Sequence, residues 1–106
     1  IVRMIHELGG LAVASHVDRE GFSILGQLGF IPKELPLDAV EVSPRTGLKN
    51  ARERFPDIAA YPLVEFSDAH RLGEIGQGVT KIYLKRATLS ELKMAFEKKQ
   101  GRYIQD

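Results

Sequence analysis

The chain has 106 residues, 43% of them hydrophobic and 27% charged, the proportions of a single globular domain. Fifteen Lys and Arg against fourteen Asp and Glu leave a net charge of +1, so no strong field steers it towards nucleic acid or anionic lipid. The absence of cysteine excludes disulfide frameworks and zinc–thiolate sites, and no apolar run approaches the roughly 20 residues that span a bilayer.

With no cysteine and no signal peptide, the expected compartment is the cytoplasm. The chain begins at Ile1, already inside a helical pattern, and reads as a piece of something longer. Ile1, Val2, Met4, Ile5 and Leu8 recur at helical spacing, and Gly9-Gly10 follow where a left-handed cap is wanted. Leu11–Ala14 is a continuous apolar run, as in strands buried on both faces of a parallel sheet. Phe22, Leu25 and Leu28 form the next helical stripe, stopped at Gly29 with Pro32 beyond it.

The alternation then repeats. Asp38–Val42 reads as a strand, followed by a helix carrying Leu48, Ala51 and Phe55 and stopped at Pro56. Pro62–Phe66 reads as a strand with a short connection after it, and Thr80–Leu84 as the fourth strand. A last helix opens at Thr88, with Glu91 completing a capping box. Its apolar face is Leu89, Leu92, Ala95 and Phe96, and Lys98 and Lys99 follow near its negative end. Strands alternating with helices imply βαβ units and a parallel sheet, with every strand C-terminus on one edge, where chemistry collects in α/β folds.

Two strand ends carry residues of ligand type. Ser15-His16-Val17-Asp18-Arg19 follows the first strand and Ser67-Asp68-Ala69-His70-Arg71 the third. In an extended D-x-H triplet, the first and third side chains point the same way, so Asp68 and His70 suit one cation or two adjacent ones. Imidazole and carboxylate without thiolate select Zn, Mn or Fe. The structural alternatives are a hydrogen-bonded strand-end His16 and an Asx-turn at Asp68. Arg19 suits a phosphate oxygen as well as an exposed ion pair. Glu41, near the end of its apolar strand, suits a supporting or general-base role. His6, at the other edge, reads as a solvated helix residue, as do Arg52, Glu53 and Arg54.

At these segments, together with Gln27-Leu28-Gly29-Phe30-Ile31-Pro32 and Glu41-Val42-Ser43, the sequence resembles the C-terminal part of a bacterial PHP (polymerase and histidinol phosphatase) domain. The resemblance covers residues 1–106 and implies the second half of a distorted (β/α)7 barrel, with about four parallel strands and two or three divalent metals at their C-terminal ends. His16 matches the histidine of the family's third motif, although Ser15-His16-Val17 stands where Ala-His-Pro is common. Asp68 and His70 match its D-x-H motif. The family's H-x-H motif has no counterpart here, since the histidines are His6, His16 and His70.

The resemblance thus implies a metal-dependent phosphoesterase in which a metal-activated water attacks a phosphate mono- or diester. His16, Asp68 and His70 are its expected metal ligands; Asp68 also orients water and Arg19 holds phosphate. The expected substrate is a phosphorylated small molecule or nucleotide. Two other readings remain open: a nucleic-acid-processing PHP module using Lys98, Lys99 and Arg102 as part of a strand path, and an inactive structural PHP relic. With three ligands and an open half-sheet, the fragment itself is expected to bind metal weakly, to lack activity and to self-associate.

Overall fold

The computed structural model describes residues 1–105. Its elements in chain order are α1 (Val2–Glu7), β1 (Val13–Ala14), α2 (Ile24–Leu28), β2 (Ala39–Val42), α3 (Leu48–Arg54), β3 (Leu63–Glu65), β4 (Lys81–Tyr83), α4 (Leu89–Phe96) and β5 (Tyr103–Gln105). Single 3-10 turns at Pro56–Ile58 and Leu72–Glu74 complete it.

Three strands form a parallel sheet in the order β1-β2-β3, with Ala14 beside Val40 and Val40 beside Leu63. The alternation of side chains along β2 and β3 divides the interior in two. Val40, Val42 and Leu63 face one cluster with Val17, Ile31, Ala51 and Ile58, closed by Ile24, Leu25, Leu48 and Phe55 from α2 and the α3 region. Ala39 and Val64 face the other way, onto Phe96, Leu92 and Ile104. The central strand is therefore covered on both sides, with Glu41 the one polar residue beside Ala39, Val40 and Val42. β1 is an edge strand, and Val13 stands partly exposed there.

The expected half-barrel of four parallel strands is not what forms. The Thr80–Leu84 run lies outside the parallel sheet and pairs antiparallel with β5, Ile82 opposite Ile104. The reason is visible in the side chains: Lys81 and Tyr83 are exposed while Ile82 is half-buried, the two-faced pattern of an antiparallel ribbon rather than of a strand covered twice. Gly101, at φ 79°, makes the turn that sends Tyr103–Gln105 back along β4.

Local boundaries shift for identifiable reasons. Ser23 caps α2, its Oγ accepting from Gly26 N at 3.0 Å, so the helix begins after Phe22. Phe22 is left exposed at φ 56°. The capping box at α4 forms only by half. Thr88 Oγ1 accepts from Glu91 N at 3.2 Å, but the Glu91 carboxylate turns away to Arg102 and to the Lys85 N–H. Among the described residues, no helix is long and apolar enough to cross a membrane.

Candidate functional site

Parallel strands bring their outgoing loops together, and here the loops after β1, β2 and β3 enclose a polar cleft of about 650 Å³. Its walls include Asp18 and Arg19 from the first loop, Ser43, Arg45 and Thr46 from the second, and Ser67, Asp68, His70 and Glu74 from the third. A larger apolar cleft, about 840 Å³, lies at the loops entering β2 and β3 and is lined by residues 30–35 together with Pro56, Asp57, Ala60 and Tyr61; it holds none of the expected site residues.

Asp18 ties the first two loops. Its carboxylate accepts from Ser43 N at 2.9 Å, from Thr46 Oγ1 at 2.6 Å and from Ser43 Oγ. Partial burial pushes the Asp18 carboxyl up, but the Ser43 and Thr46 hydrogen bonds outweigh it and hold it below its ordinary range. Nothing in the sequence pattern assigns Asp18 a role; Ser43 and Thr46, three apart just past a strand, are the available signal.

The backbone of Arg19 is held from both sides. The Arg19 N–H donates to the His16 carbonyl at 3.0 Å, and Ser23 Oγ donates to the Arg19 carbonyl at 2.5 Å. The guanidinium then crosses the cleft to Asp68, Nη1 to Oδ2 at 2.9 Å. In this structure Arg19 is engaged in the ion pair that was one of its two sequence readings, and its partner is the expected ligand Asp68.

The third loop is built around Ser67. Its Oγ accepts from Gly76 N and Gly78 N and donates to the Gly78 carbonyl, each at 3.0 Å. Gly78 packs so closely that a Cβ there would lie 2.6 Å from the Phe66 carbonyl group and 2.5 Å from the Pro44 ring. Glu74 closes the loop by accepting from His70 N at 2.8 Å and Arg71 N at 3.1 Å. Neither Ser67, Glu74 nor Gly78 was singled out from sequence, because such loop bonds depend on chain reversal rather than on periodicity.

This loop also changes how the D-x-H triplet is displayed. Asp68 lies past the end of β3 at φ 49°, so the alternation of an extended strand does not apply. His70 folds back on its own turn, with Nδ1 2.8 Å from the Asp68 carbonyl. Since a carbonyl only accepts, Nδ1 carries the proton and Nε2 is the basic nitrogen.

His16 sits at φ 24°, and its Nδ1 is buried without a hydrogen-bond partner. Glu41 pins this turn twice: its carbonyl accepts from Val17 N at 2.9 Å and its carboxylate from His16 N at 3.4 Å. Glu41 thus supports the backbone at His16. His6 is not simply solvated: Nε2 lies 2.7 Å from Asp38 Oδ2, and the same oxygen accepts from Ala12 N at 2.7 Å. Arg102 leaves the basic cluster expected around Lys98 and Lys99, because it is 8% exposed and held by Glu91 at 2.8 and 3.0 Å.

Imidazole and carboxylate donors suit Zn, Mn or Fe. Two observations fit a cation: a buried imidazole nitrogen on His16 that nothing satisfies, and a His70 ring whose Nδ1–H is fixed on a carbonyl, the way metal-ligating imidazoles are oriented. Among the described residues, no three His, Asp or Glu side chains gather as a metal-holding group. Of the expected donors, Asp68 and His70 line the cleft and His16 stands apart from its lining.

No family model matches the chain, and no solved structure does. The chain is similar to the uncharacterized protein YqxK of Bacillus subtilis (strain 168), with 26% identity over 107 residues. That match covers 96% of this chain and 27% of the relative, so the chain spans little more than a quarter of the relative's length.

Proposed function

We propose that this chain contributes part of a metal-dependent phosphoesterase site of the PHP type, acting on phosphate mono- or diesters of small molecules or nucleotides. The observation that carries the reading is the convergence of Arg19, Asp68 and His70 in one polar cleft past the ends of the parallel strands. The left-handed backbone at His16 and Asp68 adds support, because strained non-glycine positions concentrate where function demands them. In the proposal, Asp68 and His70 would hold a Zn, Mn or Fe ion in the cleft, and the buried His16 Nδ1 would serve a second one. When bound, such ions supply Lewis-acid polarisation of the phosphoryl group and a more acidic water.

The chain's own residues do the rest. Asp18 holds the Ser43–Thr46 turn against the first loop, and the His16 carbonyl and Ser23 hydroxyl hold the backbone of Arg19. Arg19 presents a planar, permanently charged fork to phosphoryl oxygens. The Asp68 carbonyl keeps the His70 ring turned so that Nε2 is its basic nitrogen. The cysteine-free composition supports a cytoplasmic setting. The burial of Arg102 favours a small phosphate ester over a long nucleic acid, since it removes one cation from the surface cluster.

The test is Mn²⁺ titration of the chain, with phosphate release from p-nitrophenyl phosphate measured on the full-length protein containing it. The expected result is that His70→Ala lowers Mn²⁺ affinity by at least about tenfold and abolishes release, while Lys98→Ala changes neither. Unchanged affinity and unchanged release in His70→Ala would refute the reading.

A further inference from the structure

The Arg19–Asp68 contact sets one expected role against another: the residue expected to hold phosphate occupies the residue expected to hold metal, at 2.9 Å. We infer that Arg19 is a placeholder for the cation on Asp68, displaced when a divalent ion binds and thereby released to the phosphate, so that cation and phosphate reinforce each other's binding. This rests on the phosphoesterase reading above and adds to it a coupling between the two ligands.

Three features of the cleft carry the inference. First, a guanidinium stays charged at every accessible pH, so it neutralises Asp68 for as long as no other cation takes its place. A divalent ion on the same carboxylate repels the guanidinium, and the two do not share that oxygen. Second, the pair is held loosely. The Arg19 and Asp68 side chains are 44% and 30% exposed, and an ion pair of that exposure amounts to about two- to fivefold in an equilibrium constant. Third, the backbone under Arg19 is pinned on both sides, through its N–H to His16 and its carbonyl to Ser23. Displacement therefore moves the side chain alone, within a cleft that Arg45 and His70 also line. A phosphate entering there meets the released guanidinium among other donors.

The experiment uses the intact chain and two probes, Mn²⁺ alone and inorganic phosphate with and without Mn²⁺, on wild type, Arg19→Gln, Arg19→Lys and Asp68→Asn. Thermal melts establish that each variant is folded. Arg19→Gln is expected to bind Mn²⁺ about two- to fivefold tighter than wild type, because the competitor is gone. In wild type, Mn²⁺ strengthens phosphate binding by a similar factor, since such coupling is reciprocal, and in Arg19→Gln this enhancement disappears. Arg19→Lys retains a competing charge and stays near wild type for Mn²⁺.

Asp68→Asn separates the two possible failures. If it weakens Mn²⁺ binding while Arg19→Gln leaves that affinity unchanged or lower, the placeholder role is overturned and the metal reading stands. If Asp68→Asn leaves Mn²⁺ affinity unchanged, or wild type binds none, both are overturned.

Discussion

Residues 13–65 and residues 81–105 are two small sheets built on opposite economies. The parallel sheet is held by burial: Val40, Val42, Leu63 and Ile58 are wholly enclosed, and the strands carry little polarity beyond Glu41 and Glu65. The antiparallel ribbon is held by specific polar and aromatic contacts. Arg102 reaches Glu91 through two nitrogens, and Tyr83 stacks on Tyr103 with ring centroids 4.4 Å apart. The two meet where Phe96 and Ile104 pack on Ala39 and Val64. The difference teaches that the platform presenting the cleft rests mainly on its own enclosed first cluster, whereas the C-terminal attachment adds a smaller apolar cover over Ala39 and Val64.

The largest expected effect comes from the platform. Ile58→Ala empties a fully enclosed position in the first cluster and costs about 2–5 kcal/mol, read as a lower urea midpoint for the whole chain. Arg102→Met should act more locally. It leaves Glu91 without its bidentate partner, and amide exchange should accelerate over residues 81–105 while residues 39–65 stay protected. Equal loss of protection in both sheets would break the division into platform and attachment.

Acid sharpens the same contrast, since each region has one carboxyl with a depressed pKa. The Arg102 guanidinium, helped by the Lys85 N–H, holds Glu91 down from 4.5 to about 2. Asp18 lies below its ordinary 3.8. A group whose folded pKa is lower than its unfolded one stabilises fully above the unfolded value, and loses that contribution as pH falls through the folded value. Ribbon stability should therefore decline as pH drops from 4.5 to about 2, and Glu91→Gln should flatten that decline. In the platform, Asp18→Asn should cost about 1 kcal/mol at neutral pH, after allowance for solvent screening, with the effect vanishing in acid well below 3.8. The smallest effect is expected from Tyr103→Leu, which keeps an apolar strand residue and removes only the stacked ring, read as a slight fall in melting temperature.

Much of the platform was legible in residue order. Asp38–Val42 and Pro62–Phe66 read as strands and contain β2 and β3, and Gly29 and Pro56 marked helix ends. The apolar run Leu11–Ala14, expected to be covered on both faces, instead forms an edge strand with Val13 partly exposed. Arg19, Asp68 and His70 were assigned to a single edge, and they line one cleft. The ribbon was not legible. Tyr103-Ile104-Gln105 is too short to declare itself, and Thr80–Leu84 acquires its direction only from the partner it finds. Which of the candidate site residues share the cleft was legible only in part, and their geometry was not. His16 stands apart from the cleft lining, and His70 is turned back by the Ser67–Gly78 loop.

By itself, then, the sequence determined what is local or periodic: which runs are apolar enough to be strands, where helices stop, and which chemistry-bearing residues follow which strand. Tertiary structure alone decided pairings between distant residues. It placed Glu91 on Arg102 rather than on its own helix cap, Asp18 on Ser43 and Thr46, and Arg19 on Asp68. The reason is physical. Period and propensity act over one or two turns of chain, whereas an ion pair goes to whichever partner the packed sheets bring within about 3 Å.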